Sequence, residues 1–227
     1  MSSDLKTETS SLTFLFWNVD GNDRAKLVCD LVTEHAVDVV VLAEPSSEDE
    51  LLETLRERAD SAFEIPESDT HRLQIFARGS NLSLREVYGT TNGRMTIRTL
   101  RCFDEDFLFV AMHIPSRASG WTEADQTAEV TQLCGALRSE EQRRGHDRTL
   151  LVGDLNMNPF DNGVMQATGL HAAMTRQTAQ AGHRVVQKNQ YPYFYNPMWG
   201  FFWRPDIRPS RNTLLSWEAN LLRLEYL

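Results

Sequence analysis

Leu-Leu-Val-Gly-Asp-Leu-Asn-Met-Asn-Pro-Phe, residues 150–160, is the stretch on which the reading of this chain turns. Thr149 to Val152 is a short apolar run of the kind that forms a buried strand. The run stops at Gly153. Asp154 and Asn156 then alternate with Leu155, so an extended backbone sets the two polar groups on one side and turns Leu155 back into the core. Asn158-Pro159 ends the segment as a turn. A carboxylate and a carboxamide thus stand side by side at the mouth of a strand. One takes a proton or holds a metal-bound water; the other donates a hydrogen bond to an anion without carrying charge. A strand with a capped turn suffices to explain Gly-Asp alone. Gly-Asp-Leu-Asn-x-x-Pro is more demanding, and it has companions upstream.

Three further apolar strands end in a polar residue where a core strand needs none. Residues 12–19, Leu-Thr-Phe-Leu-Phe-Trp-Asn-Val, are apolar on both faces until Asn18, with Asp20 just beyond. Residues 37–43, Val-Asp-Val-Val-Val-Leu-Ala, run into Glu44-Pro45. Residues 107–114 end at His113, before Pro115. Taken singly, Asn18 and Asp20 read as turn residues, Glu44 as a solvated loop carboxylate and His113 as a satisfied buried histidine. Their shared placement at strand ends is what points to a site, because α/β proteins build sites there.

The segments between these strands read as helices and a hairpin. Asn22 or Asp23 caps a helix whose core face is Val28, Leu31, Val32 and His35. Ser47 with Glu50 forms a capping box for a helix through Leu51, Leu52 and Leu55. Residues 71–101 change to period two: Leu73, Ile75 and Ala77 alternate with polar residues, and residues 82–88 and 94–100 flank an Asn92-Gly93 hairpin signal. Thr122 and Asp125 open a long helix carrying Val130, Leu133 and Leu137, closed by Gly145. Residues 163–174 predict a weaker helix. Residues 213–227 place Leu214, Trp217, Leu221 and Leu224 at helical spacing. The order of strands and helices predicts an α/β layered fold.

Length and composition bound the rest. The chain has 227 residues, 41% hydrophobic and 24% charged, enough for one sizeable core. Residues 1–11 are polar, without an apolar signal core, and are expected to be a disordered tail, leaving residues 12–227 as one domain. A net charge of −9 argues against a protein that coats nucleic acid, since phosphate affinity comes largely from Lys and Arg. It does not argue against an enzyme that meets phosphodiesters through a metal ion. Cys29, Cys102 and Cys134 make neither zinc spacing nor a disulfide framework, which predicts a reducing, cytoplasmic compartment. No run approaches the length of a membrane span. A Gly-x-Ser-x-Gly is absent, which removes a serine hydrolase of that type.

Trp17-Asn18-Val19-Asp20, Glu44, Met112-His113 and Gly153-Asp154-Leu155-Asn156 together resemble the endonuclease/exonuclease/phosphatase superfamily of DNase I-like, metal-dependent phosphodiesterases. The likeness runs in order from about residue 12 to Pro159, and Tyr195-Asn196-Pro197-Met198-Trp199 is similar to bacterial members. Gly-Asp-x-Asn is its most specific part. The resemblance implies a four-layer α/β sandwich, two packed mixed sheets flanked by helices. It implies Mg²⁺, or Mn²⁺, on Glu44 with Asn18 beside it and Asp20 as an outer ligand, which suits a cation that prefers oxygen donors. Asp154 then orients or deprotonates the attacking water, or protonates the leaving oxygen. Asn156 holds a phosphate oxygen, and His113 donates to the phosphate or leaving group. The implied partner is nucleic acid or another phosphodiester; DNA, RNA, phospholipid headgroup and inositol phosphate are not separated, nor is oligomeric state given.

The pattern breaks at the C-terminus. The family closes with a strand carrying Ser-Asp-His, preceded by an Asp in another strand; no Ser-Asp-His occurs here, and no histidine follows His183. The texture diverges from about residue 200, after eight aromatics between Tyr191 and Trp203. The C-terminal strands are therefore expected to be missing or altered, either as a real variant or through truncation or a shifted frame near Gly200. Asp206 is a candidate stand-in for the missing Asp, to which Arg204-Pro205-Asp206 gives little support. His171 and His183 replace the histidine only if the fold brings them near, and surface positions are expected for both. Two functions follow: a Mg²⁺-dependent phosphodiester hydrolase, a nuclease, impaired by its atypical end; or a degenerate relative that binds a partner or phosphate ligand without turnover.

Overall fold

The computed structural model describes residues 11–46, 48–60, 62–68, 70, 72–79, 82–102, 104–196 and 219–225. Their contacts divide them into two compact units, one from the described residues among 11–111, 150–153 and 219–225 and the other from those among 112–149 and 154–196.

In the first unit, the two-residue period of the strands divides the apolar side chains between two cores. β1 (Ser11–Asn18) and β2 (Val39–Ala43) pair in parallel, with α1 (Ala25–Glu34) as the crossover that a parallel pair requires. α2 (Glu48–Arg58) and the short β3 (Phe63–Glu64) lead to β4 (Leu73–Arg78), antiparallel to β2. A second sheet has the order β5 (Ser83–Gly89), β6 (Met95–Cys102), β7 (Glu105–His113) and β8 (Thr149–Asp154). Phe14, Phe16, Val39, Val41, Leu73 and Ile75 share a buried cluster with Leu84, Leu100, Phe109, Ala111 and Val152 of that second sheet. The rings of Phe14 and Phe109 stack at 5.4 Å between centroids. Leu15, Val40, Leu42 and Phe76 take the other face and are covered by Val28, Cys29 and Val32 of α1 and Leu51 and Leu55 of α2. Strands buried on both faces read as continuous apolar runs, and each such side chain contributes about 1.5–3 kcal/mol of burial. The expected α/β class, packed sheets with helices outside, is the one adopted.

Details differ from the sequence expectation. His35 is exposed, and Cys29 holds the place on the buried face of α1. Arg24 occupies the N-cap of α1, while Asp23 Oδ1 accepts the Ala25 N–H at 3.0 Å. Ser47 lies outside the described residues, and with it the capping box of α2. The Asn92-Gly93 hairpin forms as expected, β5 antiparallel to β6, with Gly93 at φ +67°. The helical spacing of residues 213–227 is not realised over Ala219–Glu225. That segment is an antiparallel strand along β1, Leu222 opposite Phe14. Its leucines suit either period, and the unpaired N–H and C=O groups along the free edge of β1 decide for the strand. The chain itself thus covers that edge of β1.

The second unit is built around α3 (Glu123–Arg144). Thr122 and Asp125 form the expected reciprocal cap, and hydrogen bonds from Thr122 hold the Asp125 carboxyl below its ordinary pKa. Gly145, at φ +71°, closes the helix. The weaker helix expected over residues 163–174 is reduced to α4 (Asn162–Met165). The backbone then turns so tightly that a Cβ on Gly169 would sit 2.2 Å from the Gly163 carbonyl oxygen. β9 (Ala172–Ala173), α5 (Arg176–Ala179), β10 (His183–Val186), β11 (Asn189–Pro192) and β12 (Phe194–Tyr195) follow; among the described residues β10 and β11 pair only with each other, and β12 runs parallel to β9. The strand Ala219–Glu225, β13, belongs to the first unit. No helix among the described residues is long and apolar enough to cross a membrane.

Candidate functional site

Three of the six candidate residues lie in the first unit, at the ends of β1 and β2. Asn18 is in register with Ala43, so Glu44 follows directly beside it. The two ends are tied together: the Val19 N–H donates to the Ala43 carbonyl at 3.0 Å and the Gly21 N–H to the Glu44 carbonyl at 2.9 Å. The Asp20 N–H donates to Asn18 Oδ1 at 3.1 Å, an Asx turn. Asp20 and Glu44 both have left-handed backbones, at φ +50° and +51°. For a residue with a Cβ this conformation costs about 1–2 kcal/mol, and such strain gathers at functional sites. Both side chains are exposed, and Asn18 is half-buried. Asn18, Asp20 and Glu44 are therefore brought together by adjacent strands and a shared turn.

His113, Asp154 and Asn156 lie in the second unit. The Ile114 N–H donates to the Asp154 carbonyl at 2.9 Å, joining the chain after β7 to the end of β8. β8 runs through Asp154, but the backbone is not extended as far as Asn156, as the alternation in sequence predicts. Asn156 is left-handed at φ +49°, and its N–H donates to Asp154 Oδ1 at 2.9 Å. An Asx turn, not strand alternation, sets the carboxylate beside the carboxamide. Leu155 is only half-buried in consequence, and Met157 and Pro159 are the buried residues that follow the turn. Asn156 Nδ2 donates to the Ile114 carbonyl at 2.9 Å. A carboxamide has a second N–H, which stays available for an anion. His113 is buried at the end of β7, with 4% of its surface exposed.

A network that the sequence reading missed supports this turn. Gln126, wholly buried, donates through Nε2 to the carbonyls of Pro115 at 2.8 Å and Asn156 at 2.9 Å. Its Oε1 accepts from Arg117 Nε at 2.9 Å. Arg117 pairs in turn with Asp161, whose Oδ2 accepts the Asn158 N–H at 2.8 Å. Residues 116–121, which carry no readable code as sequence, therefore supply an anchoring arginine. One signal was present: Gln126 heads the α3 stripe of Val130, Leu133 and Leu137, a polar residue at a core position.

Elsewhere the expectations divide. His183 is exposed as expected. His171 is buried, stacked on Tyr193 at 4.2 Å with Nδ1 3.2 Å from the Pro192 carbonyl oxygen. Pro197, Met198, Trp199 and Asp206 lie outside the described residues. Burial pushes the thiols of Cys29 and Cys134 up to about 11 and about 12, so neither is a nucleophile at neutral pH. A cleft of about 620 Å³, bordered by β5 and residues 64–68, contains none of the six candidates. Among the described residues, no three His, Cys, Asp or Glu side chains gather as a metal cluster.

The chain belongs to the Endonuclease/Exonuclease/phosphatase family, whose sequence profile matches residues 15–211. The members of that family are phosphodiesterase- and nuclease-type hydrolases. No curated protein matches the chain. Among solved structures, an endonuclease/exonuclease/phosphatase family protein from Bacteroides thetaiotaomicron is similar over 70% of this chain and 66% of its own, at 14% identity and a TM-score of 0.52. Caenorhabditis elegans TDP2 is similar over 71% of this chain and 51% of its own, at 16% identity and a TM-score of 0.51. The human Nocturnin catalytic domain, with a bound sulfate anion, is similar over 70% of each chain, at 16% identity and a TM-score of 0.50. At these identities the likeness is one of fold. The chain spans about half to two thirds of the length of the first two.

Proposed function

We propose that this protein is a divalent-metal-dependent phosphodiesterase, a nuclease of its family. The observation that carries the reading is backbone strain at the strand ends: Asp20, Glu44 and Asn156, three of six candidates named from sequence, all have left-handed backbones. The donor set in the first unit suits a hard cation. Glu44 offers a carboxylate, Asn18 a carbonyl oxygen and Asp20 an outer carboxylate, with no thiol or imidazole among them. Mg²⁺ takes one or two carboxylates and leaves its other positions to water and phosphate, so a cluster of three acids is not required. When bound, such an ion neutralises charge on the phosphate and the departing alkoxide.

The remaining roles belong to the chain's own side chains. Asp154 orients the attacking water and accepts its proton, or gives a proton to the leaving oxygen. Asn156 turns its second amide N–H to a phosphate oxygen while the first stays on Ile114. His113 donates to the phosphate or the leaving group. Each positioned acid or base contributes on the order of 10²–10⁴ in rate.

The test is hydrolysis of bis(4-nitrophenyl) phosphate and of labelled oligonucleotides with Mg²⁺ or Mn²⁺. Glu44→Gln and Asp154→Asn are expected to lose about 10²–10⁴-fold in kcat/KM, with Glu44→Gln also losing Mg²⁺ heat in calorimetric titration. Activity indifferent to EDTA and to both variants removes the reading. A second reading, a relative that binds without turnover, is favoured by one observation: β13, the last described strand, carries no histidine. It wins if phosphate ligands bind and no phosphodiester is cleaved. A cytoplasmic location remains part of this proposal, resting on the three unpaired cysteines.

A further inference from the structure

Charge is segregated along the chain. The protein has 32 Asp and Glu against 23 Lys and Arg, yet neither Asp nor Glu occurs between Asp161 and Asp206. Within that interval Arg176, His183, Arg184 and Lys188 are all exposed. No ion pair joins Arg176, Arg184 or Lys188 to a carboxylate among the described residues.

Among the described residues the β10–β11 hairpin is a sheet of its own, and Val185 within it is 59% exposed. An isolated two-stranded hairpin is marginal in water, so core burial does not account for this one. Its two-residue turn places Gln187 at φ +49° and Lys188 at φ +70°. That is type I′ geometry, which ordinarily takes Asn-Gly. Gln and Lys there are each strained, and the result is an ammonium group at the tip. Arg184 stands opposite Tyr191 across the strands, on the same face. The Arg176 guanidinium lies 5.6 Å from the centroid of the Tyr195 ring, itself 38% exposed.

We propose that α5, the β10–β11 hairpin and β12 form a binding arm for single-stranded nucleic acid, with Arg176, Arg184 and Lys188 on phosphates and Tyr195 as a stacking surface. Cations set beside an exposed aromatic ring suit a strand whose bases are unpaired. An acidic peptide satisfies the cations and leaves the ring unused; a duplex hides the faces of its bases. The arm rests on the nuclease reading only in naming a strand-like polyanion as the ligand, since binding requires no turnover.

The experiment uses the full chain in EDTA, with a fluorescein-labelled oligothymidylate, its duplex, heparin and anionic vesicles as probes in anisotropy or flotation. Binding tightest to the single strand is expected. Arg184→Glu with Lys188→Glu is expected to weaken it at least tenfold and to flatten the plot of log K against log salt by about 0.7 for each phosphate no longer neutralised. Tyr195→Ala is expected to weaken it about tenfold. Arg184→Gln with Lys188→Gln replaces the reversed pair if thermal melts reveal misfolding. Hydrolysis of bis(4-nitrophenyl) phosphate, which needs no strand, is expected to be unchanged. The arm is overturned if these variants bind the oligonucleotide as tightly as wild type, or if heparin, duplex or vesicles bind as well as the single strand. Weakened binding in the variants, with no hydrolysis by any form, keeps the arm and removes the phosphodiesterase reading; intact hydrolysis with unaltered binding does the reverse.

Discussion

Glu44 shows the conflict between stability and chemistry on a single residue. Its φ of +51° is one that glycine adopts without penalty. Glu44→Gly is expected to leave stability unchanged or raise it by up to about 1 kcal/mol in urea titrations, while metal binding and hydrolysis are lost. A large loss of stability argues instead for a structural glutamate. Gln126 is the opposite case. Gln126→Leu keeps the volume but leaves the Pro115 and Asn156 carbonyls without their buried donor, a cost of about 2–3 kcal/mol. It is expected to lower kcat as well, because the Asn156 turn loses its anchor. His171 introduces a pH dependence. Burial, chiefly, holds its pKa below 6.5; the Pro192 and Tyr191 carbonyls oppose this, and the charges of Arg184 and Arg138 add to it. The unfolded chain therefore binds the proton more readily. The stability from neutral His171 is complete above about pH 6.5 and is lost as pH falls below that toward the depressed folded value. Urea midpoints between pH 7 and 5 should fall less for His171→Gln than for wild type.

At the scale of elements, the β5–β6 pair holds a polar knot that has no part in the proposed chemistry. Arg98 is fully buried on β6. Its Nη1 donates to the Glu67 and Leu84 carbonyls, each at 3.0 Å, and its Nη2 to Glu86 Oε2 at 3.1 Å. Thr96 at 2.6 Å and Ser68 at 2.9 Å donate to the same carboxylate oxygen. Burial pushes the Arg98 guanidinium below its ordinary pKa, and the Glu86 charge offsets part of that. Glu86→Ala leaves a buried cation without its counter-charge and is expected to destabilise by about 3–5 kcal/mol. Changing both, Glu86→Leu with Arg98→Met, should recover most of the loss in a double-mutant cycle. The register of β5 shifts beside this knot, between Glu86 and Tyr88.

For the whole molecule, the strand that closes the first sheet matters more than its length suggests. β13 covers all of β1 but its last residue, from Ser11 opposite Glu225 to Trp17 opposite Ala219. Removing residues 217–227 re-exposes an edge next to the strand that carries Asn18. Such edges recruit other strands, so the shortened chain is expected to associate more strongly than the full chain with rising concentration in sedimentation velocity. A shortened chain that stays monomeric removes the edge-covering role.

The sequence by itself determined the local periods and their punctuation. The apolar runs of β1, β2, β7 and β8, the Asn92-Gly93 turn, the Thr122–Asp125 cap and the Gly145 stop are all consequences of near neighbours, and all are found. It also determined which polar residues stand at strand ends. Only the tertiary structure decided how they are held. The left-handed turns at Asp20, Glu44 and Asn156 depend on hydrogen bonds to or across neighbouring strands. The burial of His171 depends on Tyr193, and the strand at 219–225 depends on an open edge some two hundred residues earlier in the chain. A residue's period is readable from a few positions on either side. Its partner is set by chain closure, which no local pattern records.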